Sequence, residues 1–292
     1  MPVFSAMMGL AGSAVTETLE DRWVSNYAAS VGDTSAVYYD NRRSVALSAH
    51  PAYLSHLEWD AIGALFQSQL SALTPQERMH GVHVFNSTRL HRPLKSGDTI
   101  SATAAVAGVE RHRAGAWLTI RIDMVDGEQR PVASSYTSTL FRGVEVDTEE
   151  APVARSVLSL GQTPTRHGEP KRTQAIEIAP LAPFIFSECA RDYGAIHTDM
   201  KVAQQAGLPG LILHGTATIA YALSALTQHE ASGNPTTVQG FQTRITGMVL
   251  CPSVMTLRVY ASEDPRVVVF DVVTEQGTPA LSDGLMVLGA TR

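Results

Sequence analysis

Residues 187–215 read "SECARDYGAIHTDMKVAQQAGLPGLILHG", and within them a carboxylate, two imidazoles and a glycine stand at spacings that can do chemistry. Asp192 and His197 are five positions apart. On one continuous helix that offset turns two side chains well away from each other, and Gly194 between them interrupts helix in any case. They converge only if the chain runs through a loop. So converged, they form a general acid/base pair, because an imidazole titrates near neutrality and a neighbouring acid fixes its tautomer or shares the proton. On spacing alone the same two residues read equally well as ordinary loop positions. Asp199 precedes "MKVAQQAG", a short helix closed by Gly207 with Pro209 behind it, and is expected as the N-cap of that helix.

Gly215 opens "TATIAYALSALTQ", a helical stretch with few charges. At a helix mouth the backbone N–H groups are unpaired and the dipole favours negative charge. A peptide N–H there can hold an acyl carbonyl oxygen as it gains charge, and glycine leaves room for a substrate to come close. His214 beside it is expected to orient or pack rather than to react. His197, Asp199 and His214 fit no standard zinc spacing and no cysteine joins them, so neither a metal nor another cofactor is expected.

Those residues need elements to position them, and the chain offers two similar sets. Residues 145–172 are acidic, then rich in Pro and Gly, then basic, and read as a linker between residues 1–144 and 173–292. In the first half a helical stretch, "AHPAYLSHLEWDAIGALFQSQLSAL", precedes four β-rich runs. In the second half "LHGTATIAYALSALTQ" precedes four more, each set bounded by Gly, Pro and Asp turns. "DMVDGEQRPVASSY" and "DVVTEQGTPALSDG" look like matching hairpins turning at Asp126-Gly127 and Gln276-Gly277. A helix apolar nearly all round must be buried on most sides, which a curved antiparallel sheet achieves. The doubled order of helix then strands predicts an α+β fold of two similar subdomains.

At 292 residues, 44% hydrophobic and 17% charged, the chain has the composition of a soluble globular protein. Its net charge of −6 argues against nucleic acid as a partner. Two cysteines, Cys189 and Cys251, make no disulfide framework and suit a reducing compartment. The opening residues carry no early Lys or Arg and read poorly as a signal peptide. No run approaches the ~20 apolar residues of a membrane span. A cytoplasmic protein without membrane contact is expected.

The stretch from Asp192 to Gly215 resembles the MaoC-like, R-specific enoyl-CoA hydratase (hydratase type 2) family. That family's signature, D-x-N-P-[LIV]-H followed by an H-G pair that opens a central helix, is met here by "DYGAIH" and "LILHG". "HRPLKSGDTISATAAV" is similar to another of its strands, and two halves joined by a linker are similar to its double-hotdog form. The resemblance implies a double hotdog, two curved antiparallel sheets each wrapping a central helix. It implies Asp192, His197 and Gly215 as catalytic residues, with His214 and Gly194 beside the substrate. It also implies an acyl-CoA or acyl-carrier-protein thioester as the partner. One departure stands out: the family's Asn-Pro is Gly194-Ala195 here, so the carboxamide that helps place the water or hold the acid is missing. That implies an altered substrate, a slower enzyme, or a site repurposed for binding.

Aligning the two halves tests the number of sites. His50 and Pro51 fall where His214 and Gly215 fall, and proline has no N–H to offer an oxyanion. Asp33 corresponds to Asp192, but Tyr38 stands near the place of His197. The first half is therefore expected to be degenerate, a wall of the acyl pocket, with one active site per chain. The implied reaction is reversible syn addition of water across a trans-2-enoyl thioester, giving the R-3-hydroxyacyl product. Gly215 N–H would polarise the thioester carbonyl, while Asp192 and His197 hold the water and move its proton. Arg244 and the Arg42-Arg43 pair are candidates for the carrier's phosphates. Tyr27, Trp59 and Phe66 are candidates for the acyl pocket. A non-catalytic acyl-binding or scaffold protein and a thioesterase are the competing expectations, and both a monomer and a homodimer suit a chain with two such halves.

Overall fold

The computed structural model describes residues 5–42, 45–68, 73–74, 77, 80–146, 151–153, 158, 160 and 168–289. Arg43 and much of the expected linker at 145–172 lie outside them. The chain forms two compact units. One comprises Met1–Glu17, Leu57–His91 and Thr99–Gln162, and the other Thr18–His56, Arg92–Asp98 and Thr163–Arg292. The second unit thus takes in the early helical segment as well as the whole C-terminal half.

In the first unit the strands are β1 (Val15–Thr18), β2 (Gly81–Leu90), β3 (Thr99–His112), β4 (Gly115–Asp126) and β5 (Pro131–Arg142). They line up in the order β1-β3-β4-β5-β2, with β3/β4, β4/β5 and β5/β2 antiparallel. The β4–β5 turn is held by Asp126, whose Oδ1 accepts the backbone N–H of Glu128 and of Arg130, each at 3.0 Å. Along β3, buried side chains alternate with partly exposed ones, the period-2 pattern of a strand with one covered face. Helix α2 (Ser55–Ser68) is the helical stretch expected from the sequence. Its Glu58, 5% exposed, accepts hydrogen bonds from Asn86 Nδ2 at 3.2 Å and Thr88 Oγ1 at 3.4 Å, which ties the helix to β2.

In the second unit β6 (Arg172–Ile178), β7 (Val238–Ile245), β8 (Ser253–Tyr260), β9 (Val267–Val273) and β10 (Pro279–Leu288) take the order β7-β10-β9-β8-β6. Counted along the chain, that is the order of the first unit. The helices here are α1 (Asp21–Ser30), α3 (Ala182–Ala190), α4 (Met200–Gln205) and α5 (Gly215–Glu230), with α1 packed on α3. Helix α5 packs against β7 and β10 and is buried almost throughout, as its lack of charge requires: Ala217, Ala220, Ala222, Leu223 and Leu226 are all fully covered. Each buried Leu contributes about 1.5–3 kcal/mol by leaving water.

The sequence reading found both long helices, α4, the four strands after each long helix and both hairpin turns. It did not find α1, α3, β1 or β6. Strand β6 lies at the end of the expected linker and has only one covered residue, Ile178, so its alternation of exposed and half-exposed positions carries little hydrophobic signal.

Candidate active site

Helix α3 ends at Arg191, whose backbone is left-handed with φ 54° and ψ 37°. That turn breaks the helix and sends Asp192 out as the first loop residue. Asp192 N–H still bonds to Ser187 O at 3.1 Å, and Asp192 Oδ2 accepts the hydroxyl hydrogen of Thr216 at 3.0 Å. Five residues on, a single turn of 3-10 helix, Ala195–His197, brings the imidazole back toward the acid. The convergence through a loop that the spacing demanded is what the chain does.

His197 Nδ1–H donates to the carbonyl of Ile212 at 2.9 Å, which leaves Nε2 with its lone pair. The carbonyl is itself fixed, because Leu213 N–H bonds to Val249 O and Cys251 N–H to Leu211 O on either side of it. Burial pushes the His197 pKa down, partly opposed by the Ile212 carbonyl and the Asp192 charge, so the ring is held neutral near pH 7. A Cβ placed on Gly194 would lie 2.9 Å from His197 Cδ2, 3.4 Å from Nε2 and 3.9 Å from Asp192 Oδ1. The acid and the base therefore flank one small space, and a glycine at 194 keeps that space free of a side chain.

His214 is 1% exposed and stacks on His197, with ring centroids 3.7 Å apart and planes 24° apart. Its Nε2 lies 3.1 Å from the carbonyl oxygen of Asp192, an obligate acceptor, so that nitrogen carries the hydrogen; Ser187 Oγ is 3.0 Å from the same atom. Burial, with His197 beside it, pushes the pKa of His214 down to about 2. The His214 ring is thus bonded to the backbone of Asp192 and stacked on His197. Its Nδ1 is buried without a hydrogen-bond partner among the described residues.

Gly215 begins α5, so its N–H has no acceptor within the helix. A Cβ at 215 would come 2.9 Å from Ile245 Cδ1, so the glycine lets β7 close against the helix mouth. Asp199 caps α4, accepting the N–H groups of Lys201 at 2.8 Å and Val202 at 3.2 Å.

Tyr27 is fully buried, gives its hydroxyl hydrogen to Ala52 O at 2.9 Å and packs on His50, Tyr53 and Phe186, which is the setting of a core residue. Arg244 is exposed, 3.6 Å from Asp283. Arg42 is 88% exposed and paired with Asp40. In the other unit Trp59 packs on His83 and Phe66 on Phe141. Tyr38 ends the 3-10 turn Ala36–Tyr38, the counterpart of the turn that ends in His197, and burial pushes its phenol pKa up. Among the described residues no three His, Cys, Asp or Glu side chains come together as a metal set. Among the described residues no helix is long and apolar enough to cross a membrane. Sequence reasoning missed Thr216, Ser187 and the Ile212 carbonyl. Only Thr216, adjacent to Gly215, carried any signal, and a Thr in the first turn of a helix is unremarkable.

Residues 162–280 match the MaoC like domain, and residues 6–134 match the FAS1-like, dehydratase domain region. No curated protein matches the chain. Among solved structures it is similar to a MaoC-like dehydratase from Phytophthora capsici, at 19% identity and a TM-score of 0.82 over 98% of both chains. It is similar to the peroxisomal multifunctional enzyme type 2 of Drosophila melanogaster, at 18% identity and a TM-score of 0.76, over 95% of this chain and 48% of that one. A Mycobacterium tuberculosis protein described as a double hotdog is 14% identical, with a TM-score of 0.60 over 96% of this chain and 95% of that one. At these identities the structural likeness establishes the fold, a double hotdog. The chain thus has a double-hotdog fold, with a region matching the FAS1-like dehydratase model in its first half and a MaoC-like domain in its second.

Proposed function

We propose that the chain adds water reversibly across the double bond of a trans-2-enoyl thioester, giving a 3-hydroxyacyl thioester, and that each hotdog sheet wraps its helix as in the family it resembles. The observation that carries this reading is the pairing of a neutral His197, its Nε2 lone pair left available by the Ile212 bond, with Asp192 Oδ1 across the space beside Gly194. A water held there has an acceptor for its proton and a carboxylate to orient it. As its oxygen bonds to the β-carbon, one O–H bond breaks and the proton passes to the Asp192/His197 pair. The pair returns a proton to the α-carbon and ends as it began. The thioester survives, and its carbonyl oxygen, gaining charge, is held by the N–H of Gly215 at the positive end of α5.

The carrier is CoA or an acyl-carrier protein. Asp192, His197 and Gly215 all lie in the MaoC-like half, and the first half offers Tyr38 and Pro51 in the places of the base and the donor, so one site per chain follows. The test is the ultraviolet absorbance of the enoyl-thioester band with crotonyl-CoA and with longer and branched analogues. Loss of the band without free thiol supports hydration. Release of thiol defeats it in favour of thioester hydrolysis, and ligand binding with no change in absorbance defeats it in favour of an acyl-binding protein.

A further inference from the structure

Asp192 has to present one particular oxygen to the reacting water. A carboxylate on a loop does not do this unaided, because its terminal torsion is broad and nearly two-fold. The family signature places an Asn two positions after the acid, and this chain has Gly194 there, with no side chain to hold anything. A different group bonds the carboxylate. Thr216, the second residue of α5 and 8% exposed, gives its hydroxyl hydrogen to Asp192 Oδ2 at 3.0 Å. An ionised carboxylate only accepts hydrogen bonds, so the hydroxyl must be the donor.

We infer that Thr216 is the positioning residue of the acid: by holding Oδ2 it keeps Oδ1 turned toward the space beside His197, the role that a side chain at 194 does not fill. The anchor is rigid. Thr216 sits in the first turn of the buried helix whose preceding residue, His214, bonds to the backbone carbonyl of the same Asp192. The acid is thereby gripped by side chain and by backbone from the cap and the first turn of one helix. Thr216 also follows directly on Gly215, so the group that aims the acid and the N–H that holds the thioester oxygen move as one body.

This role rests on the hydratase reading, and the test separates the two. Hydration by wild type is compared with Thr216→Val, which keeps the shape and removes the hydroxyl, with Thr216→Ser, which restores it, and with Thr216→Ala should the valine variant fold poorly. The expected result for Val or Ala is a fall in kcat of about 10–100-fold with KM changed by less than about threefold, since misaimed groups cost rate more than binding. Thr216→Ser recovers most of the loss. Wild-type kcat in the Val variant, a loss confined to KM, or a Ser variant as slow as Val overturns the role of Thr216 and leaves the hydratase reading standing. Wild-type protein that hydrates none of the thioesters overturns both.

Discussion

His197 shows how one hydrogen bond sets the chemistry of a side chain. Its Nδ1–H is spent on the Ile212 carbonyl, so the tautomer is chosen and Nε2 is left as a base. Because burial holds its pKa below the ordinary 6.5, the ring stays neutral through the physiological range. The sign follows: activity falls only as pH drops below 6.5 and protonation removes the lone pair. Rate against pH should therefore rise and level off with a midpoint on the acid side of 6.5, and a midpoint above 7 would contradict this. Replacing His197 by Asn, which has no group to take the proton, should lower kcat by about 10²–10⁴-fold. The residue types and their order were legible in the sequence. The tautomer was not, because it depends on a carbonyl fifteen residues away whose position is fixed by pairing with residues 249–251.

At the scale of elements, the turn that delivers Asp192 has a counterpart in the first half. There Gly32, with φ 69°, precedes Asp33, and Asp33 N–H bonds to Ala28 O as Asp192 N–H bonds to Ser187 O. The second half puts Arg191 in that left-handed position, where a side chain costs about 1–2 kcal/mol. Its guanidinium compensates, stacking 5.0 Å over Trp23 of α1 and bonding to His56 Nε2, whose own Nδ1 lies 2.9 Å from Tyr53 O. Two substitutions separate strain from clamp. Arg191→Ala keeps the strain and loses the clamp, so it should destabilise by about 1–3 kcal/mol. Arg191→Gly loses both and should cost roughly 1 kcal/mol less. Equal costs in denaturant melts would show that the turn is unstrained. Neither α1 nor α3 was read from the sequence, and both are short. Helix α3 ends in a left-handed residue that carries a long side chain, so no glycine marks the stop.

Over the whole molecule, stability has opposing dependences on pH. Burial pushes His50 down to about 3 and His214 down to about 2. An unfolded histidine takes up a proton below about 6.5 that these folded ones refuse, so stability falls as pH drops from 6.5 toward 3, by up to about 1.4 kcal/mol per pH unit for each. Glu58 acts the other way. Burial raises it from 4.5 to about 7, so its folded state keeps a proton that the unfolded state releases, and stability falls as pH rises from 4.5 to 7. Glu58→Gln removes the charge and keeps one acceptor oxygen for Asn86 Nδ2, while its NH2 can donate to Thr88 Oγ1. It should stabilise the protein above pH 7 by a few kcal/mol and change little below pH 4.5, as thermal melts across pH would show; a variant less stable than wild type at pH 8 would contradict this. The doubled plan was legible because helix-then-strands repeats with the same turn residues. The division into units was not, since residues 18–56 join the C-terminal half through packing such as α1 on α3, which leaves no mark on local sequence pattern.

The central claim is that Asp192, aimed by Thr216 and paired with His197, performs the proton transfer of hydration. Asp192→Asn tests it most directly, because the carboxamide keeps an oxygen to accept the Thr216 hydroxyl hydrogen but cannot take a proton. Turnover of crotonyl-CoA should fall by at least about 10²-fold, while the ligand still binds and the melting midpoint holds. Turnover within about twofold of wild type, a difference of only about 0.4 kcal/mol in the barrier, would contradict the account.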